Sequence, residues 1–596
     1  MIELTINNKK IKAKEGMTIL DIAKENNILI PHFCYLENVN KVGSCRICVV
    51  EVEGAKNLQA SCIVEARDGM VIKTNSEKVK KTRKLLYELM LSDHPRDCLS
   101  CSRNQNCEFQ KLGELMQIDE FRFEGEKSKN FIDSSSPSIT RELSKCILCR
   151  RCVEVCNEIQ GVGILSPQNR GFKTIIGPAN NLQLNTVNCT YCGQCTIVCP
   201  VGAIQEKDSL KEVWEAIFDD SKRVIVQTAP AVRAALGEEF GYAPGTLVTG
   251  KMVSALKEIG FNDIFDTNFT ADLTILEEGH EFLKRVESAL SKEKAVLPMI
   301  TSCSPGWIKY IEHTFPDLIE NLSTCKSPQM MLGALAKSYY ADKIESDPKD
   351  IYIVSVMPCT AKKFEITREE LYNDGNPNVD AVLTTRELAK MIKDAGIDFK
   401  SLEDSKFDNP LGMSSGAADI FAVTGGVMEA AIRTVYEVVT GRELPMDKLH
   451  VTPIVGFDQI KTADLLIDGA LKEFKHLEGI AVKVAVTSGL KGAHKLLEEI
   501  KEGKSPYHFI EVMCCPGGCI SGGGQPRPTN NEIRQKRLEA IYKEDEDKEM
   551  RKSHENPFIL KLYEEYLIEP LGHKSHKLLH TKYTKRGIFN ERLKKL

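Results

Sequence analysis

The sequence predicts an α+β multidomain protein in which small cysteine-rich domains precede a large α/β domain. The chain has 596 residues, more than a single hydrophobic core usually organises. Fifteen of its 21 cysteines lie before residue 200. From about residue 209, helix-like segments alternate with short apolar runs, which is typical of α/β architecture. These changes predict five domains, which cover residues 1–78, 79–137, 138–208, 209–525 and 526–596.

Charge and apolar content exclude several classes of protein. The net charge is −5 and 27% of residues are charged, so we expect neither nucleic acid nor an anionic membrane as a partner. No apolar run approaches the roughly 18 residues of a membrane span, and Met1–Thr5 lacks the plan of a secretory signal. We therefore expect a cytoplasmic protein. In a large cytoplasmic chain, clustered cysteines indicate metal ligands rather than disulfides.

Residues 1–78 combine short predicted elements with four cysteines. Strands are predicted at Ile2–Ile6 and Val49–Val52, and a helix at Thr18–Asn26. The cysteines are Cys34, Cys45, Cys48 and Cys62. A long gap, a CxxC and a second long gap suit a [2Fe–2S] cluster, although tetrahedral zinc could also be bound. The spacing resembles that of plant-type ferredoxins, with a longer first gap, and the resemblance implies a β-grasp ferredoxin-like domain.

Residues 79–137 contain a set of one histidine and three cysteines, namely His94, Cys98, Cys101 and Cys107. Such a set could form a structural zinc knuckle. An isolated zinc site would have no evident purpose between iron clusters, so we predict a [4Fe–4S] cluster here.

Residues 138–208 contain a duplicated cysteine run. The first run is Cys146, Cys149, Cys152 and Cys156, and the second is Cys189, Cys192, Cys195 and Cys199. This is the spacing of bacterial two-cluster ferredoxins, in which the fourth cysteine of each run binds the other cluster. We therefore predict two [4Fe–4S] clusters, one on the first three cysteines with Cys199 and one on the next three with Cys156. Multiple clusters in series indicate electron transfer.

Three strand-like runs in residues 209–525 lead into cysteine-bearing loops. The runs are Ala295–Ile300, Ile351–Val356 and Phe509–Met513. The loop cysteines are Cys303, Cys359, Cys514, Cys515 and Cys519. Functional sites of α/β sheets lie beyond the carboxyl ends of the strands, so these loops could supply the four ligands of another cubane. Cys325 is interpreted as a buried structural thiol.

The three loops closely resemble the signature segments of [FeFe]-hydrogenases. The segments here are residues 301–307, 357–360 and 514–519, and the N-terminal cluster series resembles that of the long clostridial-type members. The resemblance covers nearly the whole chain. It implies an H-cluster, which is a [4Fe–4S] cubane joined through a cysteine thiolate to a di-iron unit with CO, cyanide and a bridging dithiolate. The implied reaction is 2H⁺ + 2e⁻ ⇌ H2.

The resemblance also implies roles for individual residues. The implied cubane ligands are Cys359, Cys515 and Cys519, with Cys519 as the bridging thiolate. The implied di-iron pocket contains Pro230, Gln329, Met357 and Met513, with Lys362 hydrogen-bonded to an iron cyanide. The implied proton relay is Glu278, Glu281, Arg285 and Ser323. The first three of these share a helical face, which in most proteins is a solvated stripe.

One position departs from the family pattern. The commoner form has two adjacent cysteines in the first loop, whereas this chain has Cys303 followed by Ser304. In strict register, Cys303 is the relay and Ser304 the cubane ligand, while a shift of one residue reverses these roles. Thiolate is the favoured ligand of iron–sulfur clusters, so we assign Cys303 as the ligand and Ser304 as the relay. Cys514 is an extra thiol nearby that could compensate in either case.

Residues 526–596 resemble the segment that wraps the catalytic domain and is a separate small subunit in some relatives. A helix is predicted at Phe558–Ile568. His573, His576 and His580 lie in a Lys/His-rich stretch that we predict to be an exposed surface tail.

The front end and Ser304 resemble NAD(P)-linked multimeric hydrogenases. No GxGxxG follows a strand, so a nucleotide site is expected on another subunit. We predict a flavoprotein NAD(P)-binding partner with further Fe–S subunits, as in electron-bifurcating complexes, or ferredoxin as the partner of a stand-alone enzyme. Two less favoured functions are a complex-I-like electron-input subunit and an H2 sensor. The catalytic loops argue against the first of these, and the complete relay against the second.

Overall fold

A computed structural model describes residues 1–587 apart from positions 38, 40, 129, 292, 293 and 455. The α+β multidomain fold is confirmed, because a mixed sheet, small cluster-type domains and a large α/β domain follow one another along the chain. None of the helices within this described part combines the length and the apolar character needed to span a bilayer.

The N-terminal domain is a five-stranded mixed sheet with one helix. Its elements are β1 (Ile2–Ile6), β2 (Lys9–Ala13), α1 (Ile19–Glu25), β3 (Val49–Val52), β4 (Gln59–Ala60) and β5 (Val71–Lys73). The strand order is β2-β1-β5-β3-β4, with β1 and β5 parallel. Both predicted strands are confirmed. The observed helix is one residue shorter at each end than the predicted one, because Thr18 and Asn26 are its caps. Thr18 forms a capping box with Asp21.

The next two domains are built from short elements around the cysteines. They are α2 (Glu77–Asp93), α3 (Glu108–Leu115), β6 (Ile132–Asp133), β7 (Ile139–Glu142), α4 (Arg151–Glu154), β8 (Ser166–Gln168), β9 (Ile175–Gly177), α5 (Gln194–Val198) and β10 (Ile204–Glu206). The strands form an antiparallel sheet, β10-β7-β6, and a β8–β9 hairpin.

The duplication in sequence is also a duplication in backbone conformation. Leu148 and Tyr191 occupy equivalent positions of the two cysteine runs, and both have positive φ angles (56° and 58°). Two residues later, Arg150 and Gly193 again match (64° and 70°), and each precedes a short helix. The same left-handed turns therefore bend both runs around a common type of centre.

The catalytic domain contains two four-stranded sheets. Its strands are β11 (Arg223–Thr228), β12 (Asp263–Asp266), β13 (Met299–Ile300), β14 (Ile351–Met357), β15 (Ala381–Thr384), β16 (Ile460–Leu466), β17 (Ala481–Ser488) and β18 (Phe509–Met513). One sheet, β12-β11-β14-β15, is entirely parallel, and the other, β13-β18-β17-β16, is parallel except for β16. Strands β14 and β18 are almost wholly buried, which explains their mainly apolar sequences; the buried carboxylate of Glu511 in β18 accepts from the backbone N–H groups of Gly425 and Met428.

The three strand predictions in this domain had different outcomes. Phe509–Met513 is confirmed, and the strand predicted at Ile351–Val356 extends to Met357. The prediction of a strand over Ala295–Ile300 was wrong in extent, because only Met299–Ile300 pair. Pro298 lacks the N–H that a ladder requires, which accounts for the late start.

Helices enclose both sheets. They are α6 (Leu210–Ile217), α7 (Pro230–Arg233), α8 (Thr249–Ile259), α9 (Thr267–Leu290), α10 (Pro305–Thr314), α11 (Pro328–Leu335), α12 (Ala341–Lys343), α13 (Lys362–Glu365), α14 (Thr385–Asp394), α15 (Gly416–Asp419), α16 (Gly426–Thr440) and α17 (Leu490–Lys501). The long helix α9 lies between the two hydrophobic cores, because Leu273 packs in the core of the parallel sheet and Ile275 in that of the other.

The C-terminal segment contains α18 (Asn531–Asp547), α19 (Pro557–Leu562) and α20 (His573–Leu579). The helix predicted at Phe558–Ile568 begins one residue earlier, at Pro557, and ends one residue earlier, at Leu567. Its second half, residues 563–567, is π-helical. His573 and His576 are exposed as predicted.

The prediction of an exposed tail was wrong for His580. This side chain is buried, with Nε2 3.1 Å from Glu277 Oε2 and Nδ1 2.8 Å from Thr324 Oγ1. His580 is buried because the two preceding apolar residues, Leu578 and Leu579, pack in the core of the parallel sheet and bring the histidine with them. The prediction was based on the Lys/His-rich composition of this stretch and did not consider these two leucines.

Candidate functional site

The four cysteines of the N-terminal domain meet in one buried group. The Cys34 thiol lies within hydrogen-bonding reach of those of Cys45 and Cys62, and these hydrogen bonds lower the pKa of Cys34. The Cys48 thiol is likewise within reach of Cys62, which lowers the pKa of Cys48 to about 6. Four free thiols crowded together in this way can bind a metal centre with four thiolate ligands.

The second group surrounds Tyr87 and Phe109. Burial raises the pKa of Tyr87, as do the thiols of Cys107 and Cys98, and the His94 ring packs on Phe109 with 5.0 Å between the centroids. Cys101 lies on the same loop and is half-buried. Leu99, between two of the cysteines, is 94% exposed. This group therefore lies close to the protein surface.

The two cysteine runs of the third domain are interleaved. Burial raises the pKa of Cys152, and the nearby thiols of Cys149, Cys146 and Cys199 raise it further. Burial also raises the pKa of Cys195, and the nearby thiols of Cys192, Cys189 and Cys156 raise it further. The fourth cysteine of each run thus lies with the first three of the other run, as the spacing predicts for two cubanes.

This domain contacts the catalytic loops through backbone groups. Thr360 Oγ1 donates to Tyr191 O at 2.8 Å, and Gln160 Nε2 donates to Cys514 O at 3.0 Å. Gly193 and Gly523 touch so closely that a Cβ on Gly523 would lie 2.6 Å from the Gly193 Cα. Only glycine permits this approach, which brings the Cys192 loop against the wall of a cavity in the catalytic domain.

That cavity lies where strands of both sheets end. It is lined by Pro230 after β11, Cys303 and Ser304 after β13, Met357 and Cys359 at β14, and Met513, Cys515 and Cys519 at β18, together with Gln329 and Lys362. The structure therefore brings together every pocket residue and catalytic-domain cysteine predicted as a ligand. It adds residues that sequence reasoning missed, among them Ala229, Thr267 and Phe421. These three carry no local motif, so no signal could have identified them.

The donor groups around the cavity suit an iron–sulfur cofactor. Burial raises the pKa of Cys519 to about 12, with further contributions from Cys359 and Cys515, so three thiols lie close enough to repel one another as thiolates. Such a set needs a cationic centre. Within the described part of the chain, Gln329 Oε1 is buried without a hydrogen-bond partner. A thiol-rich wall with an amide oxygen free to accept a hydrogen bond suits a cubane beside a polar group.

A carboxylate that the sequence did not reveal holds two cavity residues. Glu365 Oε2 accepts from Lys362 Nζ at 2.7 Å and from Gln329 Nε2 at 3.0 Å. Lys362 Nζ also donates to Cys303 O at 3.1 Å. The i,i+3 spacing of Lys362 and Glu365 on a helix was the available signal.

A line of polar groups leads away from the cavity along α9. The Cys303 thiol lies in the electrostatic reach of Glu278, which is in turn hydrogen-bonded to Ser323. Ser323 Oγ donates to Glu281 Oε2 at 3.2 Å, and Arg285 Nη2 donates to Glu281 Oε1 at 2.6 Å. Glu278 is 2% exposed, and burial raises its pKa to about 8. Glu278 and Glu281 are both buried, so this face of α9 is not a solvated stripe.

Comparison with known families matches five parts of the chain. Residues 222–523 match the family "Iron only hydrogenase large subunit, C-terminal domain", and residues 531–586 match "Iron hydrogenase small subunit". Residues 1–77 match a 2Fe-2S iron-sulfur cluster binding domain. Residues 83–122 match the NADH-ubiquinone oxidoreductase-G iron-sulfur binding region, and residues 145–203 a 4Fe-4S dicluster domain.

Whole-chain relatives are also found. The chain is 50% identical to the NADP-reducing hydrogenase subunit HndD of Solidesulfovibrio fructosivorans, over 98% of this chain and 99% of the relative. It is 41% identical to iron hydrogenase 1 of Clostridium pasteurianum, over 98% and 100%. Among solved structures, a variant of the apo [FeFe]-hydrogenase HydA1 from Chlamydomonas reinhardtii superposes with a TM-score of 0.58 at 43% identity, covering 64% of this chain and 99% of that one.

Proposed function

The chain belongs to the iron-only hydrogenase family, and on this premise we propose that it catalyses 2H⁺ + 2e⁻ ⇌ H2 at an H-cluster held in the cavity. The observation that carries the proposal is the meeting of Cys359, Cys515 and Cys519 at the ends of two sheets, directly against the Cys192 loop. Substrates as small as protons and H2 need no large binding groove, whereas electrons need a nearby carrier.

The cavity residues would hold the cofactor from three sides. Cys359, Cys515 and Cys519 account for three cubane ligands, with Cys519 as the bridge to the di-iron unit. Pro230, Gln329, Met357 and Met513 would line the di-iron pocket, with Lys362 as hydrogen-bond donor to a cyanide. When bound, the H-cluster supplies the redox-active iron at which electrons and protons combine.

Electrons would reach the cavity through four accessory clusters. We propose one [2Fe–2S] cluster in the N-terminal thiol group and one [4Fe–4S] cluster in the group of His94. Two further [4Fe–4S] clusters would occupy the interleaved runs, each with one cysteine from the other run. The last centre before the cavity is the one bound by Cys192, since its loop touches the cavity wall. The exposed loop around Leu99 offers a point of electron entry.

Protons would move along the groups on α9. Arg285 and Glu281 lie at the outer end, where the Arg285 guanidinium is partly exposed. Ser323 can accept a proton from Glu281 at its Oγ and donate its own hydrogen to Glu278. Glu278, with its pKa raised to about 8 by burial, can then both donate and accept a proton near neutral pH. Cys303 links Glu278 to the cavity.

We further propose that the chain works in a larger cytoplasmic complex. The relative HndD is named as a subunit of an NADP-reducing hydrogenase, and this sequence carries no dinucleotide-binding fingerprint of its own. A flavoprotein NAD(P)-binding subunit with further Fe–S subunits would therefore exchange electrons with the accessory clusters. Ferredoxin is the partner expected if the chain acts alone.

Purified full-length protein matured with the di-iron unit is expected to evolve H2 from reduced viologen. It should also show infrared bands from iron-bound CO and cyanide, which report the cofactor independently of turnover. The control is Cys519→Ala, which removes the bridging thiolate and should lose both the bands and the activity. A protein that shows the infrared bands but neither evolves nor oxidises H2 would contradict the proposal.

A further inference from the structure

The fourth ligand of the cubane is the open question at the cavity. A [4Fe–4S] cluster takes four protein ligands, and Cys359, Cys515 and Cys519 supply three. The first loop presents Ser304, whose hydroxyl is a weaker ligand for iron than a thiolate. One cavity thiol, that of Cys514, has no part in the function proposed above.

Cys514 and Ser304 are neighbours in space although they are 210 residues apart in sequence. The Cys514 backbone N–H donates to Ser304 Oγ at 3.4 Å. The Cys514 Sγ lies 2.8 Å from where a Cβ on Gly306 would be, so the thiol covers the first turn of α10. Both Cys514 and Ser304 therefore belong to the same wall of the cavity.

The Cys514 thiol also lies beside a proposed ligand. Its sulfur is within hydrogen-bonding reach of those of Cys192, in the neighbouring cluster loop, and Cys515, and it lies 3.8 Å from Gln160 Oε1. Cys514 is 4% exposed. The Cys514 thiol, which follows the end of β18, thus lies between the cavity and the Cys192 loop.

Cys303 has different surroundings. Its carbonyl accepts from Lys362 Nζ at 3.1 Å, and its thiol lines the cavity, where burial and then the nearby Glu278 and Cys519 raise its pKa. This places Cys303 where a proton passes between the relay and the cavity.

We propose that Cys514, rather than Cys303, is the fourth thiolate ligand of the cubane. This inference rests on the proposed function, and it replaces the assignment of Cys303 as ligand and Ser304 as relay. The Ser304 hydroxyl then accepts the Cys514 N–H and orients that residue. Binding converts the Cys514 thiol to a thiolate and releases its proton. Each of the four irons then has a cysteine thiolate as its protein ligand.

The test compares variants of the full chain reconstituted with iron and sulfide alone. Without the di-iron unit there is no dependence on H2 turnover, so failure of this inference is separable from failure of the proposed function. Iron content and the Mössbauer and EPR spectra are measured for Cys514→Ala, Cys303→Ala and Ser304→Ala. Cys359→Ala serves as the reference for damage to the cavity cubane, and Cys192→Ala as the reference for damage to the neighbouring cluster.

Cys514→Ala is expected to reproduce the iron loss and spectral change of Cys359→Ala, up to about four irons per chain. Cys303→Ala and Ser304→Ala are expected to keep the wild-type spectra. Restoring a thiol with Ser304→Cys in the Cys514→Ala background should recover the cubane, which excludes a simple folding defect. The inference is overturned if Cys514→Ala matches wild type or Cys192→Ala, if Cys303→Ala matches Cys359→Ala, or if the double variant recovers nothing.

Discussion

Replacing Glu278 with glutamine is expected to lower H2 turnover by about 10²–10⁴-fold while leaving all clusters in place. Glu278 is the buried carboxyl group between Cys303 and Ser323. Glutamine keeps its size and its hydrogen bond to the serine, but its amide cannot release and regain a proton. The measurement is H2 evolution from reduced viologen, with the infrared spectrum of the cofactor as a check that the site is intact.

The same carboxyl group predicts a pH dependence. Burial raises the pKa of Glu278 to about 8, so the group is mostly protonated at neutral pH and loses its proton as the pH rises through that value. H2 evolution by the wild type should therefore fall through about pH 8. The residual activity of Glu278→Gln should lack this step.

Glu277→Gln is the matched control for this prediction. Glu277 is the adjacent residue of α9 and is also buried, but it faces Tyr563 and His580 rather than the cavity. Its replacement should leave turnover within a few-fold of wild type. If both variants lost activity equally, or if Glu278→Gln stayed fully active, the relay along α9 would be excluded.

Replacing Arg433 with methionine is expected to lower the free energy of unfolding by about 3–5 kcal/mol. The Arg433 guanidinium is fully buried and donates to Glu429 Oε1 at 2.6 Å and to both Asp545 carboxylate oxygens at 2.9 Å. Methionine fills most of the space but removes the cation that the two buried carboxylates share, leaving Asp545 with Arg551 alone and Glu429 with His450 alone. Because Asp545 lies in α18, the ion pair joins the C-terminal segment to α16 of the catalytic domain.

Thermal unfolding followed by circular dichroism measures this effect, with an expected fall in Tm of roughly 5–10 °C. The control is Lys536→Met, which removes an exposed i,i+4 ion pair with Glu532 on the same helix α18. Surface pairs of this kind contribute about 0.5 kcal/mol or less. Equal shifts for the two variants would mean that the buried ion pair does not stabilise the C-terminal segment.

Local signals in the sequence predicted the cluster-type domains well. Strands such as Val49–Val52 and Phe509–Met513 were found at their predicted bounds, because alternation and apolar runs reflect burial directly. The interleaving of the two cysteine runs followed from spacing alone, since ligands of one cubane must lie within a short reach of one another. Helix limits at Thr18 and Asn26 differed by one residue because the predicted ends are caps.

Contacts between distant segments were the main failures. His580 was predicted to be exposed, yet the burial of Leu578 and Leu579 brings it to Glu277. Glu365, which holds both Lys362 and Gln329, had only an ordinary helical spacing to suggest it. Neither result can be read from composition, since each depends on which element packs against which.

The sequence by itself determined the ligand sets of several iron–sulfur centres, because metal ligands must follow strict local spacings, and the resemblance of three loops to the signature segments of [FeFe]-hydrogenases indicated the family. Only the tertiary structure decided which thiol stands beside Ser304 and which faces Glu278. Cys514 reaches Ser304 because β18 and β13 are paired neighbours in one sheet, and Cys303 reaches Glu278 because α9 lies between the two cores. The packing of sheets and helices thus sets the surroundings of each thiol, and a linear spacing carries no information about that packing.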